Sequence, residues 1–169
     1  MTSPVGLPLA EFAFPGPVRD ALVAAILTGE KTSTTGLHEE LVREGAPIGS
    51  IGDRELVVDS DGRGVAVIET TEVEVRRMGD VDLAFAIEEG EGFESLDEWR
   101  DAHVRFFSSP EMAALLGDPP VTIDDDTLVV CYRFRLLERL SPRKPGPGRR
   151  TRSSSSQCGH SARICARCR

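Results

Sequence analysis

The sequence is poor in the side chains that stack on nucleic-acid bases, because its 169 residues include one tryptophan and one tyrosine. Proteins that bind long single strands line a groove with such rings, so we expect no broad stacking surface. No apolar run approaches the ~20 residues that span a bilayer. The N-terminus also lacks a basic segment followed by an apolar stretch. We therefore expect no membrane partner and a cytoplasmic location.

Acidic residues are absent from Ser141 onward, where the chain has eight lysines or arginines. Residues 1–140 consequently carry twelve basic and 28 acidic residues, a net charge of about −16. That charge repels a phosphate backbone, which argues against duplex DNA as a partner. Residues 141–169 are mostly Pro, Gly, Arg and Ser and predict a disordered basic tail. Such a tail is either a nucleic-acid-binding extension or an ordinary solvated one.

Residues 1–140 contain one cysteine, Cys131, whose position is typical of a buried thiol in a strand. The tail holds a possible zinc set with knuckle spacing, formed by Cys158, His160, Cys165 and Cys168. Few apolar residues surround these four, so the tail offers little around which a knuckle can fold. We expect no metal and no cofactor.

Residues 11–140 alternate helical and extended patterns and predict a single α+β domain. Helices are expected over 18–27, 37–44, 96–107 and after Pro110, with a short one ending near Gly90. Strands are expected around Lys31 and over 54–59, 64–76 and 127–138. In the last two strands, alternation predicts one buried face each: Val65, Val67, Thr71, Val73 and Val75, and then Leu128, Val130, Tyr132, Phe134 and Leu136.

The stretch Gly29-Glu30-Lys31-Thr32-Ser33-Thr34-Thr35 follows the first helix and places a lysine three residues before a threonine. Hydroxyls alternate along it, so Thr32 and Thr34 share one face of a strand. A lysine and a hydroxyl in this arrangement are plausible base and nucleophile. The alternative is an exposed strand edge with a solvated lysine.

Two further stretches follow in order: Pro47 to Asp53, and Ala86-Ile87-Glu88-Glu89-Gly90-Glu91-Gly92 with Ser95-Leu96-Asp97-Glu98-Trp99-Arg100-Asp101-Ala102-His103 and Phe106-Phe107. Together with the Lys31 stretch they resemble the ASCH domain family of the PUA-like superfamily, over about residues 11–139. The first stretch resembles the family's G-x-K-x-x-T motif. The E-G-E-G loop and S-L-x-x-W-R-x-x-H helix resemble one bacterial subgroup.

The resemblance implies a small, mostly antiparallel β-barrel with flanking helices and a cleft beside the Lys-Thr motif. It also implies RNA or a modified nucleoside as partner. One short branch of the family deacetylates 4-acetylcytidine with a Lys, a Thr and a Glu. Carried over by motif, these catalytic residues are Lys31, Thr34 and Glu89. Many members have an arginine two positions after the motif threonine, where this chain has Gly36, so an anchor for phosphate or base is either missing or supplied from elsewhere.

Three side chains are candidates for binding a substrate, although each has an ordinary alternative. Arg100 and Arg133 either bind a ligand or pair with surface acids. His103 either acts on RNA by acid–base chemistry or stacking, or is bonded to a neighbouring acid on a helix face. The function we expect is hydrolysis of a nucleoside amide of the acetylcytidine kind or of short single-stranded RNA. The alternatives are a non-catalytic RNA- or nucleotide-binding module and a ligand sensor without chemistry.

Overall fold

The fold is built on one five-stranded sheet, in a computed structural model that describes residues 6–140. The strands are β1 (Leu9–Ala10), β2 (Ser33–Leu37), β3 (Arg54–Val58), β4 (Gly64–Arg77) and β5 (Leu128–Arg139). The helices are α1 (Pro17–Thr28), α2 (His38–Glu44), α3 (Leu83–Glu88), α4 (Leu96–Phe107) and α5 (Pro110–Leu116), with a 3₁₀ turn at Met78–Asp80. The predicted disordered tail and its possible zinc set lie outside the described residues.

The sheet has the order β1-β3-β4-β5-β2 and is antiparallel except for the β1–β3 pair. The prediction of a mixed, mostly antiparallel α+β fold is therefore confirmed. Within residues 6–140, no hydrogen-bonded pairing joins the edge strands β1 and β2, so the sheet is not closed into a complete barrel. Two-residue β1 follows Pro8, which has no N–H group to extend the ladder.

The two long strands do not have the simple alternating faces that the sequence predicts. The β4–β5 register shifts twice, between Val67 and Ile68 and between Thr70 and Glu72. Each shift breaks the period of two, because an extra residue changes the face on which the following side chains lie. Val75 is 42% exposed and Leu128, the first residue of β5, is 44% exposed, contrary to prediction, whereas Val67, Val130, Tyr132 and Phe134 are buried as predicted. Residues on the opposite face are buried as well, namely Ala66 and Ile68 in β4 and Val129 and Cys131 in β5.

Three apolar clusters pack against the sheet, and the smallest of them consists of Leu41, Val130 and Tyr132. The α4 core is centred on Trp99, Phe106 and Phe107 and includes side chains of α3 and α5 together with Val129 and Cys131 of β5. The α1 core joins α1 to the strands β1, β3, β4 and β5 through Phe12, Leu22, Ile26, Val57, Ile68 and Phe134. Helix α4 begins as predicted, since the Ser95 hydroxyl accepts the Glu98 N–H at 3.2 Å. The segment that leads into β2 contacts both cores, since Lys31 lies against Phe12 of the α1 core and Ser33 donates to the Phe85 carbonyl in the α4 core.

Candidate functional site

A buried polar cluster lies just before β2, where Lys31 is 1% exposed. Its Nζ donates to the Glu89 backbone oxygen at 3.1 Å and to Glu91 Oε1 at 3.2 Å. The side chains of this ion pair are 0% and 1% exposed. On the other side, Nζ lies 5.8 Å from the centre of the Phe12 ring in the α1 core. Lys31 is therefore not the solvated strand-edge lysine of the alternative interpretation.

The chain reaches this position through the end of α1. Gly29 adopts a left-handed conformation with φ 86°, as predicted for a helix cap. The amides of Glu30 and Lys31 then both donate to the Ala25 carbonyl, at 2.9 and 3.1 Å. These bonds fold the chain back beneath the helix, so the lysine side chain enters the interior.

On the opposite side of the cluster, the backbone of Gly90 lies directly against the backbone of Glu30 and Lys31. A Cβ atom at Gly90 would lie 2.6 Å from the Glu30 carbonyl oxygen and 2.7 Å from the Lys31 nitrogen, and its φ is +66°. No side chain fits this contact, and the backbone conformation itself favours glycine. The adjacent Thr32 amide donates to the Glu88 carbonyl at 2.8 Å. Glycine is thus required to place Glu89 and Glu91 beside Lys31.

The Glu89 side chain is fully buried and contacts two further polar groups. Its Oε1 accepts a hydrogen bond of 2.5 Å from the Thr35 hydroxyl. Its Oε2 lies 3.4 Å from Nε2 of His103, which is also completely buried. Alternation in β2 places Thr35 and Ser33 on the α4-core side of the sheet, and Ser33 donates to the Phe85 carbonyl at 3.1 Å.

His103 is held in one orientation by α4. Its Nδ1 lies 2.9 Å from the Trp99 carbonyl oxygen, and its ring centre is 4.2 Å from that of Trp99. A carbonyl oxygen can only accept, so Nδ1 carries the hydrogen. Burial lowers the pKa of His103 to about 4. The ring is consequently neutral at pH 7 and turns the unprotonated Nε2 toward Glu89, although the contact lacks hydrogen-bond geometry.

The predicted nucleophile, Thr34, lies on the other face of β2, opposite Tyr132. Thr34 is 0% exposed, and its hydroxyl has no hydrogen-bond partner among the described residues. The structure therefore brings Lys31, Glu89 and His103 together and leaves the Thr34 hydroxyl outside their hydrogen bonds. Thr35, which the motif does not single out, makes the contact with Glu89.

The two arginines predicted to bind substrate are already paired with carboxylates. Arg133 donates to Glu88 Oε2 at 2.5 Å and to Glu72 Oε2 at 2.6 Å. Its guanidinium carbon lies 5.3 Å from the centre of the Phe85 ring, at the rim of the polar cluster. Arg100 forms an ion pair of 2.9 Å with Asp125 and a longer one of 3.5 Å with Asp97. Only Arg133 borders the cluster, through Glu88.

Comparison with known proteins agrees with this architecture. The family model of the ASCH domain matches residues 11–138. The chain belongs to the ASCH domain family. This ASCH domain is similar to the crystal structure of a protein from Enterococcus faecalis, at 25% identity and TM-score 0.70, over 87% of this chain and 86% of the other. It is also similar to an ASCH domain from Lactobacillus crispatus, at 27% identity and TM-score 0.63, over 76% and 79% of the two chains. No curated protein matches the chain.

The family motif assigns no role to three buried polar residues of this ASCH domain. Thr35 was recoverable from strand alternation, and Glu91 from its place two residues after Glu89. Glu40 on α2 gave no signal, yet it is 3% exposed and its Oε1 has no hydrogen-bond partner among the described residues. Burial, and secondarily the charge of Glu44, raise the pKa of Glu40 to about 8. Glu40 is therefore protonated at neutral pH.

No group of three His, Cys, Asp or Glu side chains within residues 6–140 is placed to hold a metal ion. None of the helices formed by these residues is long and apolar enough to cross a membrane.

Proposed function

We propose that this ASCH domain is a hydrolase that acts on a modified nucleoside, an acetylcytidine-like amide, or on short single-stranded RNA. The ASCH fold is PUA-like and generally RNA-binding. The observation that carries the proposal is the burial of Lys31 with two glutamates, one of which contacts a threonine and a histidine. This cluster contains the types of group that amide hydrolysis uses.

The burial of the cluster argues for a role beyond stability. Replacing a buried ion pair with apolar residues of similar volume is often neutral or stabilising by roughly 1–4 kcal/mol. A pair such as Lys31–Glu91 is therefore a poor way to stabilise a core. Buried titratable groups with specific partners are instead concentrated at functional sites.

The geometry supports a specific division of roles in the amide reaction. Water supplies the oxygen that attacks the carbonyl carbon, either directly or after Thr34 has accepted the acyl group. Glu89 accepts the proton that the attacking oxygen releases and donates it to the exocyclic nitrogen as the bond from the carbonyl carbon to that nitrogen breaks. In the closed structure Lys31 donates to two oxygens, so its ammonium form fits better as the positive charge beside the developing oxyanion than as a base.

A substrate reaches the cluster only after the loop at Glu89–Phe93 moves, because Lys31, Glu89 and His103 are each at most 1% exposed. This loop contains Gly90 and Gly92, with φ values of 66° and 77°. We propose that substrate binding opens it. A cluster that is sealed in the free protein excludes water from the reacting groups once the loop closes again.

The paired arginines favour a small ligand over a long polynucleotide. A phosphate that binds Arg133 must displace Glu88 and Glu72, and one that binds Arg100 must displace Asp125. A reader of extended RNA depends on such contacts and is opposed by the charge of residues 1–140. The non-catalytic RNA- or nucleotide-binding module is therefore the second candidate, and the following experiment separates it from the hydrolase.

The test is turnover of 4-acetylcytidine and of short single-stranded RNA by four proteins. Thr34→Val and Thr35→Val remove hydroxyls on opposite faces of β2, and Thr32→Val is the matched control. The control residue is exposed, and its hydroxyl makes only a 3.5 Å contact with the Glu88 carbonyl. We expect the Thr34 and Thr35 variants to lose at least about 100-fold in kcat/KM and the control to keep wild-type turnover.

Each other outcome has a definite meaning. Absence of product from every substrate, with ligand binding retained by the wild type, would refute the hydrolase and leave the binding module. Full activity of Thr34→Val with loss in Thr35→Val would remove Thr34 from the mechanism and retain Thr35 as the residue that positions Glu89.

A further inference from the structure

We propose that residues 71–77, the second half of β4, are a dimer interface at which two copies of this chain pair antiparallel, edge to edge. The two-fold axis passes through Val75, so the five-stranded sheet of one copy continues into that of the other. This interface lies on the edge of β4 opposite β5, and the proposal does not depend on the hydrolase function.

The second half of β4 has a partner strand on one side only. Strand β3 pairs with β4 as far as Glu69, and two further backbone bonds, of 2.8 and 2.9 Å, hold Thr70 to the turn before β3. The preceding loop leaves the sheet edge and crosses a face of the sheet, where the Ile48 carbonyl accepts a hydrogen bond of 2.7 Å from the Tyr132 hydroxyl. In the part of the chain that the structure describes, no strand therefore pairs with the outer edge of residues 71–77.

The pairing of β5 identifies the backbone groups that this edge offers. The Phe134 N–H of β5 donates to the Thr32 carbonyl at 2.9 Å, on the β2 side. Because backbone groups of successive residues point to opposite sides of a strand, the β5 residues one and three positions earlier bond toward β4. Their partners in β4 are Glu72 and Glu74. The N–H and C=O groups that point outward consequently belong to Val73, Val75 and Arg77.

The sequence of this edge is complementary to itself when two copies run antiparallel. Residues 72–77 read Glu-Val-Glu-Val-Arg-Arg, so the acids precede Val75 and the bases follow it. With Val75 opposite the partner's Val75, Glu74 lies opposite the partner's Arg76, and the same ion pair repeats across the axis. Val73 then lies opposite the partner's Arg77, so all the outward backbone groups from Val73 to Arg77 find partners. The occupant that fits this edge is a second copy of the chain.

The alternative is that these charges protect the edge from pairing, as charged side chains on edge strands often do. Charges of a single sign would repel a second copy, whereas these change sign at Val75. The central Val75 is 42% exposed, and Leu128 beside it on the same face is 44% exposed. Arg76 already binds Glu74 of its own strand through Nε at 2.7 Å. Exposed pairs of this kind contribute little to stability, so their exchange for pairs across the interface costs little.

The short length of the edge limits the affinity. Interfaces that bury less than about 1,200 Å² are typical of weak or transient complexes. We therefore expect a dimer in equilibrium with the monomer and not an obligate one.

The test is sedimentation equilibrium of the full chain from about 5 to about 500 µM, a range that covers weak association. The wild-type mass should rise with concentration from 18.4 kDa toward twice that value. Glu74→Arg places like charges opposite each other on both sides of the axis and should weaken the dimer at least about tenfold, and Arg76→Glu should do the same. Asp101→Arg, on the exposed side of α4, changes the net charge as much as Glu74→Arg and should dimerise like the wild type.

Mixing the two reversed variants gives the decisive result. Glu74→Arg and Arg76→Glu chains complement each other in this register, so the mixture should form a heterodimer with about the wild-type affinity. A mass of one chain over the whole range for the wild type would overturn the proposal. Dimers that survive both reversals, or a mixture that stays monomeric, would also overturn it.

Hydrogen exchange of the wild type gives a readout without any variant. The outward amides of Val73, Val75 and Arg77 should exchange more slowly at high protein concentration than at low, because pairing buries them. Dimerisation with unchanged exchange at these amides would place the interface elsewhere and refute the proposal.

Discussion

The burial of Lys31 makes one substitution especially informative. Lys31→Met keeps an unbranched side chain of similar length and removes the charge, leaving the carboxylate of Glu91 without its cation. Both side chains of the pair are at most 1% exposed. Removal of one partner of a buried pair costs roughly 3–5 kcal/mol, because the other charge remains desolvated and uncompensated. Since small domains are stable by only about 5–15 kcal/mol, this is a large share of the total.

A double-mutant cycle separates the charge effect from packing. Glu91→Gln in the Lys31→Met background removes the stranded charge, and we expect it to recover about 2 kcal/mol or more. The control is Arg63→Met, which breaks an ion pair with Asp59 in which the arginine side chain is 66% exposed. Exposed pairs contribute about 0–1 kcal/mol, so this variant should change stability little.

The assay is urea unfolding followed by fluorescence and by far-ultraviolet circular dichroism. Trp99 is the single tryptophan, lies in the α4 core and is 1% exposed, so its emission reports on that core. Coincident transitions by both probes justify the comparison of unfolding free energies. A cost below about 1 kcal/mol for Lys31→Met, equal to that of Arg63→Met, would show that the buried arrangement is wrong.

Three further substitutions test other parts of the structure by the same urea assay. Gly90→Ala should lower the free energy of unfolding by at least about 1 kcal/mol more than Gly62→Ala. Both positions have a positive φ, but only Gly90 lies against other backbone atoms, so equal losses would refute that contact. Trp99→Ala, followed by dichroism, should lose roughly 3–5 kcal/mol, whereas a ligand-stacking residue would leave stability unchanged. The Glu40 carboxyl group stays protonated up to about pH 8 in the folded state, whereas in the unfolded chain it loses its proton near pH 4.5. The stability of the folded state therefore falls as the pH rises from 4.5 to 8. Glu40→Gln should therefore gain roughly 2–4 kcal/mol over the wild type at pH 8 and little at pH 4.5, and a gain independent of pH would contradict the raised pKa.

The sequence allowed the order and type of the elements to be predicted because these depend on local signals. Gly29 caps α1, and the Ser95 hydroxyl caps α4, as their residue types indicate. The buried faces of the long strands were harder to predict, because the register shifts near Val67 and Thr70 depend on pairing with a strand some sixty residues away. A single strand carries no sign of where its partner forces a bulge.

The residues of the candidate site were easier to predict from the sequence than the contacts between them. The motif indicates Lys31 and Glu89, which the structure brings into contact through the Glu89 backbone oxygen. The motif selects Thr34, whereas the Thr35 hydroxyl on the opposite face of the strand makes the contact with Glu89. Which face of the strand meets the loop is a tertiary property. The burial of Glu40 likewise depends on how α2 docks on the sheet, which no local pattern specifies.

The position of Lys31 also bears on how the domain folds. Its ammonium group contacts Glu91 in the loop that leads into α4, and it lies against the Phe12 ring of the α1 core. One side chain therefore connects the α1 core to the α4 side of the domain. Loss of this connection weakens the coupling between the α1 core and the α4 core more than it weakens either core. Lys31 variants should keep a single urea transition, whereas in native-state hydrogen exchange the amides of α3 and α4 should exchange with solvent ahead of those in α1.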